Sequence, residues 1–228
     1  MDDIIYDRQK DIKLKLPSRV LVAGCGGIGF WAGMFIAMSG VNHLLLFDPD
    51  TVDVTNLNRL PVPMGVVGQP KVEVLKDIIS SIRPDSTVTT FNELLDPEMI
   101  PLLKPNLVVD CSDDLKFQSA LYEMCSKQGI SYIKAGYDGT HITIAREVKN
   151  IWQTEEGNGY RVTPSWVVPA VTVAALVTLA VSGLPAVANL ELAGDLKDIG
   201  LFPGGKGKKV ATKRRVTKKV NVPIGTRG

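Results

Sequence analysis

The chain has 228 residues, of which 45% are hydrophobic and 22% charged, enough for one well-buried core of ordinary globular composition and too apolar for a disordered chain. Its three cysteines, Cys25, Cys111 and Cys125, have no paired spacing, which excludes a disulfide framework and a C-x-x-C zinc site and suits a reducing, cytoplasmic setting. The net charge of +2 is unevenly divided. Residues 204–228 carry nine Lys and Arg and no acid, so 17 of the 26 basic residues face all 24 acidic ones in the body, for net −7.

The opening segment "MDDIIYDRQKDIKLKL" is charged throughout and lacks the apolar centre of a signal peptide. From Arg19 the chain alternates strand and helix. "RVLVAG" (19–24) is a short apolar run ending in glycine, and "IGFWAGMFIAMSG" (28–40) follows with helical spacing, so a strand, a tight turn and a helix are predicted. "VNHLLLFD" (41–48) is the next strand. "KVEVLKDIISSI" (71–82) is a helix with Val72, Leu75, Ile78 and Ile79 on one face. "STVTTF" (86–91) and "NLVVD" (106–110) read as strands, "LKFQSALYEMCSKQG" (115–129) as a helix closed by Gly129, and "ISYIKAG" and "HITIAREV" as further strands. The apolar run 166–190 approaches the length of a membrane span, but Pro169, Gly183 and Pro185 interrupt it and no basic flank adjoins it. It is expected to be a helix buried in the core. The whole predicts an α/β fold: a Rossmann-like, doubly wound, mostly parallel sheet with helices on both faces. The expected organisation is an arm (1–18), a nucleotide-binding domain (19–203) and a basic tail (204–228). The tail is either a solvated extension, with an edge strand through Val210, Val216 and Val220 conceivable, or a contact for a polyanion.

The first turn, "GCGGIG", sets Gly24, Gly26, Gly27 and Gly29 between strand and helix, with Asp48 nineteen residues after Gly29. Glycines allow a phosphate to approach the backbone, the helix N-terminus offers unpaired N–H groups, and Asp48 or Asp50 can accept ribose hydroxyls. The same glycines serve equally as a purely structural turn. Two nucleotide chemistries remain open. An NAD-dependent oxidoreductase has little use for cations in the following loop. Cleavage of ATP between its α- and β-phosphates calls for positive charge at the departing pyrophosphate and for a metal-binding carboxylate. Asn56, Arg59 and Lys71 can meet the first need and "DCSDD" (110–114), at a strand end, the second.

"VLVAGCGGIG", "LFDPDTVDVTNLNR", "GQPKVEVLKDII" and "LVVDCSDD", in this order and spacing, resemble the successive motifs of the ThiF/MoeB/ubiquitin-activating superfamily of adenylating enzymes, over roughly residues 5 to 185. The resemblance implies an adenylyltransferase that uses ATP and Mg2+, with Asp48 on the ribose, Asn56, Arg59 and Lys71 on the triphosphate, and Asp113 on magnesium and the reacting phosphate. "YDRQ" at 6–9 is similar to an Arg-Gln element of that family whose arginine enters a neighbouring protomer's site, so Arg8 is expected to act in trans within a homodimer. The implied substrate is the C-terminal glycine of a ubiquitin-like or sulfur-carrier protein, with a peptide or a modified nucleoside as other carboxylate sources. A non-catalytic nucleotide-binding partner that works through its basic tail is the competing class.

The chain departs from the family in two places. Asp114 stands where asparagine is usual, and "NIWQTEEGNGYRVTP" (150–164) has no cysteine where thioester-forming relatives keep theirs. Asp113 and Asp114 are equally suited to cap the following helix. Cys125 is expected in the core, Cys111 near the pocket without catalytic duty, and His43 and His141 as packing or capping residues. Trp31, Tyr137 and Asp138 have no assigned role.

Overall fold

The computed structural model describes residues 2–139, 141–148, 164–183 and 188–191, all within one compact unit that ends at Leu192. The expected boundary at 203, the basic tail and residues 150–163 lie outside the described residues. The elements in chain order are helix α1 (Asp2–Ile5), strand β1 (Arg19–Ala23), α2 (Gly27–Ser39), β2 (His43–Phe47), α3 (Lys71–Ile82), β3 (Thr87–Phe91), α4 (Ile100–Leu103), β4 (Leu107–Asp110), α5 (Leu115–Lys127), β5 (Ser131–Asp138), β6 (His141–Ala145), α6 (Val167–Val181) and β7 (Ala188–Glu191). A 3-10 helix, Asp7–Ile12, follows α1.

One sheet in the order β3-β2-β1-β4-β5-β6-β7 holds all seven strands. The first five are parallel and β6 and β7 run antiparallel to their neighbours. The strand order reverses between β1 and β4, which opens a crevice at their C-terminal ends. Alternation along the strands divides the core in two. Val20, Val22, Leu44, Leu46, Val109 and Ile133 form one cluster with the apolar residues of α2, α3 and α6. Leu21, Leu45, Phe47, Val108 and Tyr132 form the other with Leu121, Met124 and Cys125 of α5. Each fully buried aliphatic side chain contributes about 1.5–3 kcal/mol, and this two-sided burial is why the strands read as unbroken apolar runs.

The helices start and stop for local reasons. Ser39 gives way to Gly40, whose φ of 111° lets its N–H cap the Ala37 carbonyl. Asp114 caps α5 by accepting from Phe117 N–H (2.8 Å), which leaves Asp113 uncommitted. Gly129 sits in the left-handed region just past α5, as the sequence led one to expect. The run 166–190 does not form one helix. It leaves α6 at Val181, Gly183 turns with φ 75°, and β7 begins at Ala188. Among the described residues no helix is long and apolar enough to cross a membrane.

The N-terminal arm lies at the far end of α2 from the glycine turn. Gln9 Nε2 donates to the Ser39 carbonyl (2.7 Å), and the Arg83 guanidinium stacks on the Tyr6 ring at 4.6 Å while donating to the Ala37 carbonyl (2.7 Å) and pairing with Asp85. Since α2 is 13 residues and about 20 Å long, Arg8 cannot serve the glycine turn of its own chain.

Candidate functional site

The crevice is built on a turn that accepts only glycine at two positions. At Gly24 φ is 88°, and a Cβ there would meet the Cys111 carbonyl group at 3.1 Å. A Cβ on Gly29 would fall 1.8 Å from the Gly24 carbonyl oxygen. Gly26 and Gly27 differ: nothing lies within 4 Å of a Cβ on Gly26, and one on Gly27 would meet the Tyr137 hydroxyl (2.7 Å) and Arg59 Cδ (3.2 Å). The first pair shapes the turn, Gly26 leaves its outer surface open, and Gly27 lets Tyr137 and Arg59 pack closely against the start of α2. Gly26 is the N-cap of α2 and provides no side-chain cap, so the first N–H groups of the helix face the crevice.

Asp48, at the end of β2, is buried and braces the turn. Its Oδ2 accepts from Cys25 N–H (2.7 Å) and its Oδ1 from Asp50 N–H (2.8 Å). Burial raises its pKa, against the lowering effect of Lys71 and of the two backbone donors. Lys71, also buried, puts Nζ 2.6 Å from Asp50 Oδ2 and 3.8 Å from Asp48 Oδ1. A folded-back loop makes this meeting possible. Val52 N–H donates to the Gln69 carbonyl and Gly68 N–H to the Val52 carbonyl, both at 2.8 Å, and Thr51 bridges Pro70, so the chain leaves β2 and returns beside it.

Within that loop Asn56 is buried, and its Oδ1 accepts from Asp53 N–H (3.2 Å) in a capping box with Asp53. Its carbonyl is therefore committed to the loop, whereas its amide NH2 has no hydrogen bond among the described residues. Arg59 is half-exposed and lies over Gly27, with Nη1 donating to the Thr55 carbonyl (2.7 Å) and Asn58 Oδ1 (2.9 Å). Trp31 on α2, unassigned from sequence, donates its indole N–H to the Arg59 carbonyl (2.7 Å) and so fixes where Arg59 leaves the backbone. A tryptophan one turn into the helix that follows a glycine turn was the available signal.

On the other side of the switch point, Asp110 is fully buried. Its Oδ1 accepts from Ser112 N–H (3.0 Å) and Ser112 Oγ–H (2.6 Å), and its Oδ2 from the Tyr132 hydroxyl (2.6 Å). Gln118 Nε2 donates to the Ser112 carbonyl (2.6 Å), so the loop 110–114 is held from both ends. Asp113 projects from it, exposed and without a hydrogen bond among the described residues. Among those residues no three His, Cys, Asp or Glu side chains are grouped to hold a metal by themselves. Mg2+ is ordinarily held by one or two carboxylates and substrate phosphates, and Asp113 with its free oxygens fits that arrangement. Cys25 and Cys125 are buried and Cys111 half-buried. Burial pushes all three thiols up, Cys125 to about 12. His43 and His141 open their strands, the latter beside Asp138 at 3.3 Å.

The predicted residues Gly24, Gly26, Gly27, Gly29, Asp48, Asp50, Asn56, Arg59, Lys71 and Asp113 thus gather around the C-terminal ends of β1, β2 and β4, and Arg8 does not. A profile described as the ThiF family matches residues 1–191. The chain belongs to the ThiF family. Among relatives in the ThiF family, a molybdopterin-synthase adenylyltransferase of Escherichia coli K12 is 38% identical over 123 residues, covering 53% of this chain and 48% of that protein. The E. coli tRNA N6-threonylcarbamoyladenosine dehydratase TcdA, solved in complex with AMP, is 30% identical with a TM-score of 0.51 over 54% of this chain and 52% of that one. E. coli MccB, crystallised with MccA-N7isoASN, superposes with a TM-score of 0.66 over 80% of this chain and 65% of that one, at 20% identity, which speaks to the fold alone. The chain spans about half the length of the curated relatives it matches.

Proposed function

We propose that the chain activates a carboxylate by adenylation: it binds ATP, joins AMP to the carboxylate and releases pyrophosphate. The observation that carries this reading is the convergence of Arg59 and Lys71, 12 residues apart, on a glycine turn already braced by Asp48. An NAD-dependent oxidoreductase has no task for that pair, and a protein that only displays a nucleotide has no need of it.

The turn and the N-terminus of α2 receive the phosphates through N–H groups, and the open surface at Gly26 permits the approach. Asp48 and Asp50 accept the ribose hydroxyls. The Asn56 amide donates a hydrogen bond to the departing pyrophosphate, and Arg59 and Lys71 neutralise its charge. Bound Mg2+ would screen the phosphate oxygens, and Asp113 is the residue that would hold it. No general base is required, because a carboxylate is already ionised near neutral pH. Catalysis is positioning plus electrostatics. The arm's placement at the far end of α2 suits the reading in which Arg8 of the partner subunit completes the site of a homodimer.

The substrate we favour is the C-terminal glycine of a ubiquitin-like or sulfur-carrier protein, in keeping with relatives named molybdopterin-synthase and ThiS adenylyltransferases. The relation to TcdA makes a modified-nucleoside carboxylate the second candidate. Titration calorimetry with ATP and with NAD, each with and without magnesium, followed by ATP–pyrophosphate exchange with a carrier protein ending in Gly-Gly, tests the reading. Binding of NAD in preference to ATP would overturn it.

A further inference from the structure

Lys134 lies in the middle of β5, in a run that reads as plain strand, and is 95% buried. Its ammonium makes no hydrogen bond, and no carboxylate lies within 4 Å of it among the described residues. It is also not among the fully enclosed polar atoms, so the side chain keeps a narrow opening. Burial lowers its pKa, opposed by Asp110 and, more weakly, by Cys111 and Asp113. A purely structural partner for Asp110 would be hydrogen-bonded to it, yet Asp110, its neighbour in the strand register, is engaged by Ser112 and Tyr132 and not by Lys134. A buried cation without a partner is costly, and an arriving anion removes that cost.

The register shows which anion. Phe91, Phe47, Ala23, Asp110 and Lys134 are successive partners in one row across β3, β2, β1, β4 and β5. Lys134 therefore stands three strands, about 14 Å, from the column that ends in Asp48. A ribose on Asp48 and phosphates on the glycine turn put the α-phosphorus over β1 and β4. Lys71 beside Asp48 and Arg59 over Gly27 collect the leaving pyrophosphate on the α2 face of the sheet. In-line displacement brings the nucleophile from the opposite side, the α5 face, which Lys134 shares with Tyr132. Gly136, two residues on and on the same face as Lys134, has nothing within 4 Å of a Cβ position, so the approach is open there.

We propose that Lys134 receives the carboxylate of the acyl substrate, an inference that rests on the adenylation reading. The ammonium holds one carboxylate oxygen while the other forms a bond to the α-phosphorus. The bond from that phosphorus to the bridging oxygen breaks, its electron pair leaves on pyrophosphate, and no proton moves. Lys134 offsets the repulsion between two anions that must touch.

The test uses the full-length protein with 13C-labelled lysine, the Lys134 ε-signal being assigned by its loss in Lys134→Met. Sodium acetate is the probe, against sodium chloride at equal ionic strength, with AMP present. A Lys134 shift with acetate alone is expected. A shift with AMP or pyrophosphate but not acetate would make Lys134 a phosphate contact and overturn the assignment. AMP binding is read separately on the glycine-turn amides. AMP binding without any Lys134 response overturns only the role of Lys134, whereas failure of AMP to bind overturns the adenylation reading itself. In exchange assays with a peptide ending in Gly-Gly, Lys134→Met should raise KM for the peptide about tenfold or more, as loss of a charged hydrogen bond does, and leave KM for ATP within about twofold. Lys134→Arg should recover part of the loss. Equal effects on both KM values would also overturn the proposal.

Discussion

Gly26→Ala separates a turn that binds phosphate from a turn that merely turns. Gly26 has φ −76°, which alanine adopts readily, and a Cβ there touches nothing within 4 Å. Replacing an N-cap glycine by alanine costs about 0.5–1 kcal/mol, and the reduced freedom of the unfolded chain returns about 0.4–1 kcal/mol. The two offset each other, so Tm should stay within about 2 °C of wild type. Ligand affinity should not survive as well. The new methyl occupies the surface that a phosphate must reach, and MgATP binding by calorimetry should weaken about tenfold or more, equivalent to at least about 1.4 kcal/mol. Gly29→Ala is the contrasting control. Its Cβ would sit 1.8 Å from the Gly24 carbonyl oxygen, so the backbone must move by more than about an ångström, a strain in the range of about 1–3 kcal/mol or above. Its Tm should fall by roughly 2–12 °C. Wild-type MgATP affinity in a stably folded Gly26→Ala protein would refute the phosphate-binding role of the turn.

Arg59→Ala or Lys71→Ala should lower carboxylate-dependent ATP–pyrophosphate exchange about 100-fold or more; mixing Arg8→Ala with Lys71→Ala protein should restore part of it, and no rescue despite proven subunit exchange would reject a shared site. The raised Asp110 pKa has a signed consequence: burial makes the folded protein bind this proton more tightly than the unfolded chain does, so stability is fullest at acid pH and declines as pH rises from roughly 4 toward the folded value. Urea melts should show that decline, and Asp110→Asn should flatten it; identical slopes would contradict the linkage. All three thiols are buried or half-buried and pushed up, so with a carboxylate partner and MgATP, non-reducing denaturing electrophoresis should show no thiol-sensitive adduct. A reducible adduct lost only in Cys111→Ser would identify a thioester-forming cysteine instead.

The central strands β1, β2 and β4 were legible because they are apolar on both faces, and α3 and α5 because their apolar residues recur at helical spacing. The glycine turn and Asp48 were legible as a local motif. What could not be read was anything that depends on the path of a loop. Lys71 meets Asp50 only because residues 51–70 fold back through the Thr51–Pro70 bridge. Trp31 looks like helix packing until its indole is seen to hold Arg59. Asp113 and Asp114 were interchangeable as caps until geometry gave the task to Asp114. β7 was hidden inside a continuous apolar run, although Gly183 and Pro185 marked where that run breaks. Lys134 was passed over because one lysine in an apolar strand carries no pattern.

The link from Lys71 to Asp50 and Asp48 also bears on how the crevice meets a ligand. A free lysine side chain surrenders up to about 2 kcal/mol of rotamer entropy when it is fixed. Here that loss falls on folding, since two carboxylates hold the ammonium in place before any phosphate arrives. Binding becomes an exchange of anionic partners rather than the ordering of a mobile arm. A ligand with several closely spaced charges competes in that exchange far better than a monoanion, so a triphosphate is expected to outcompete a monophosphate there by charge density as well as by length.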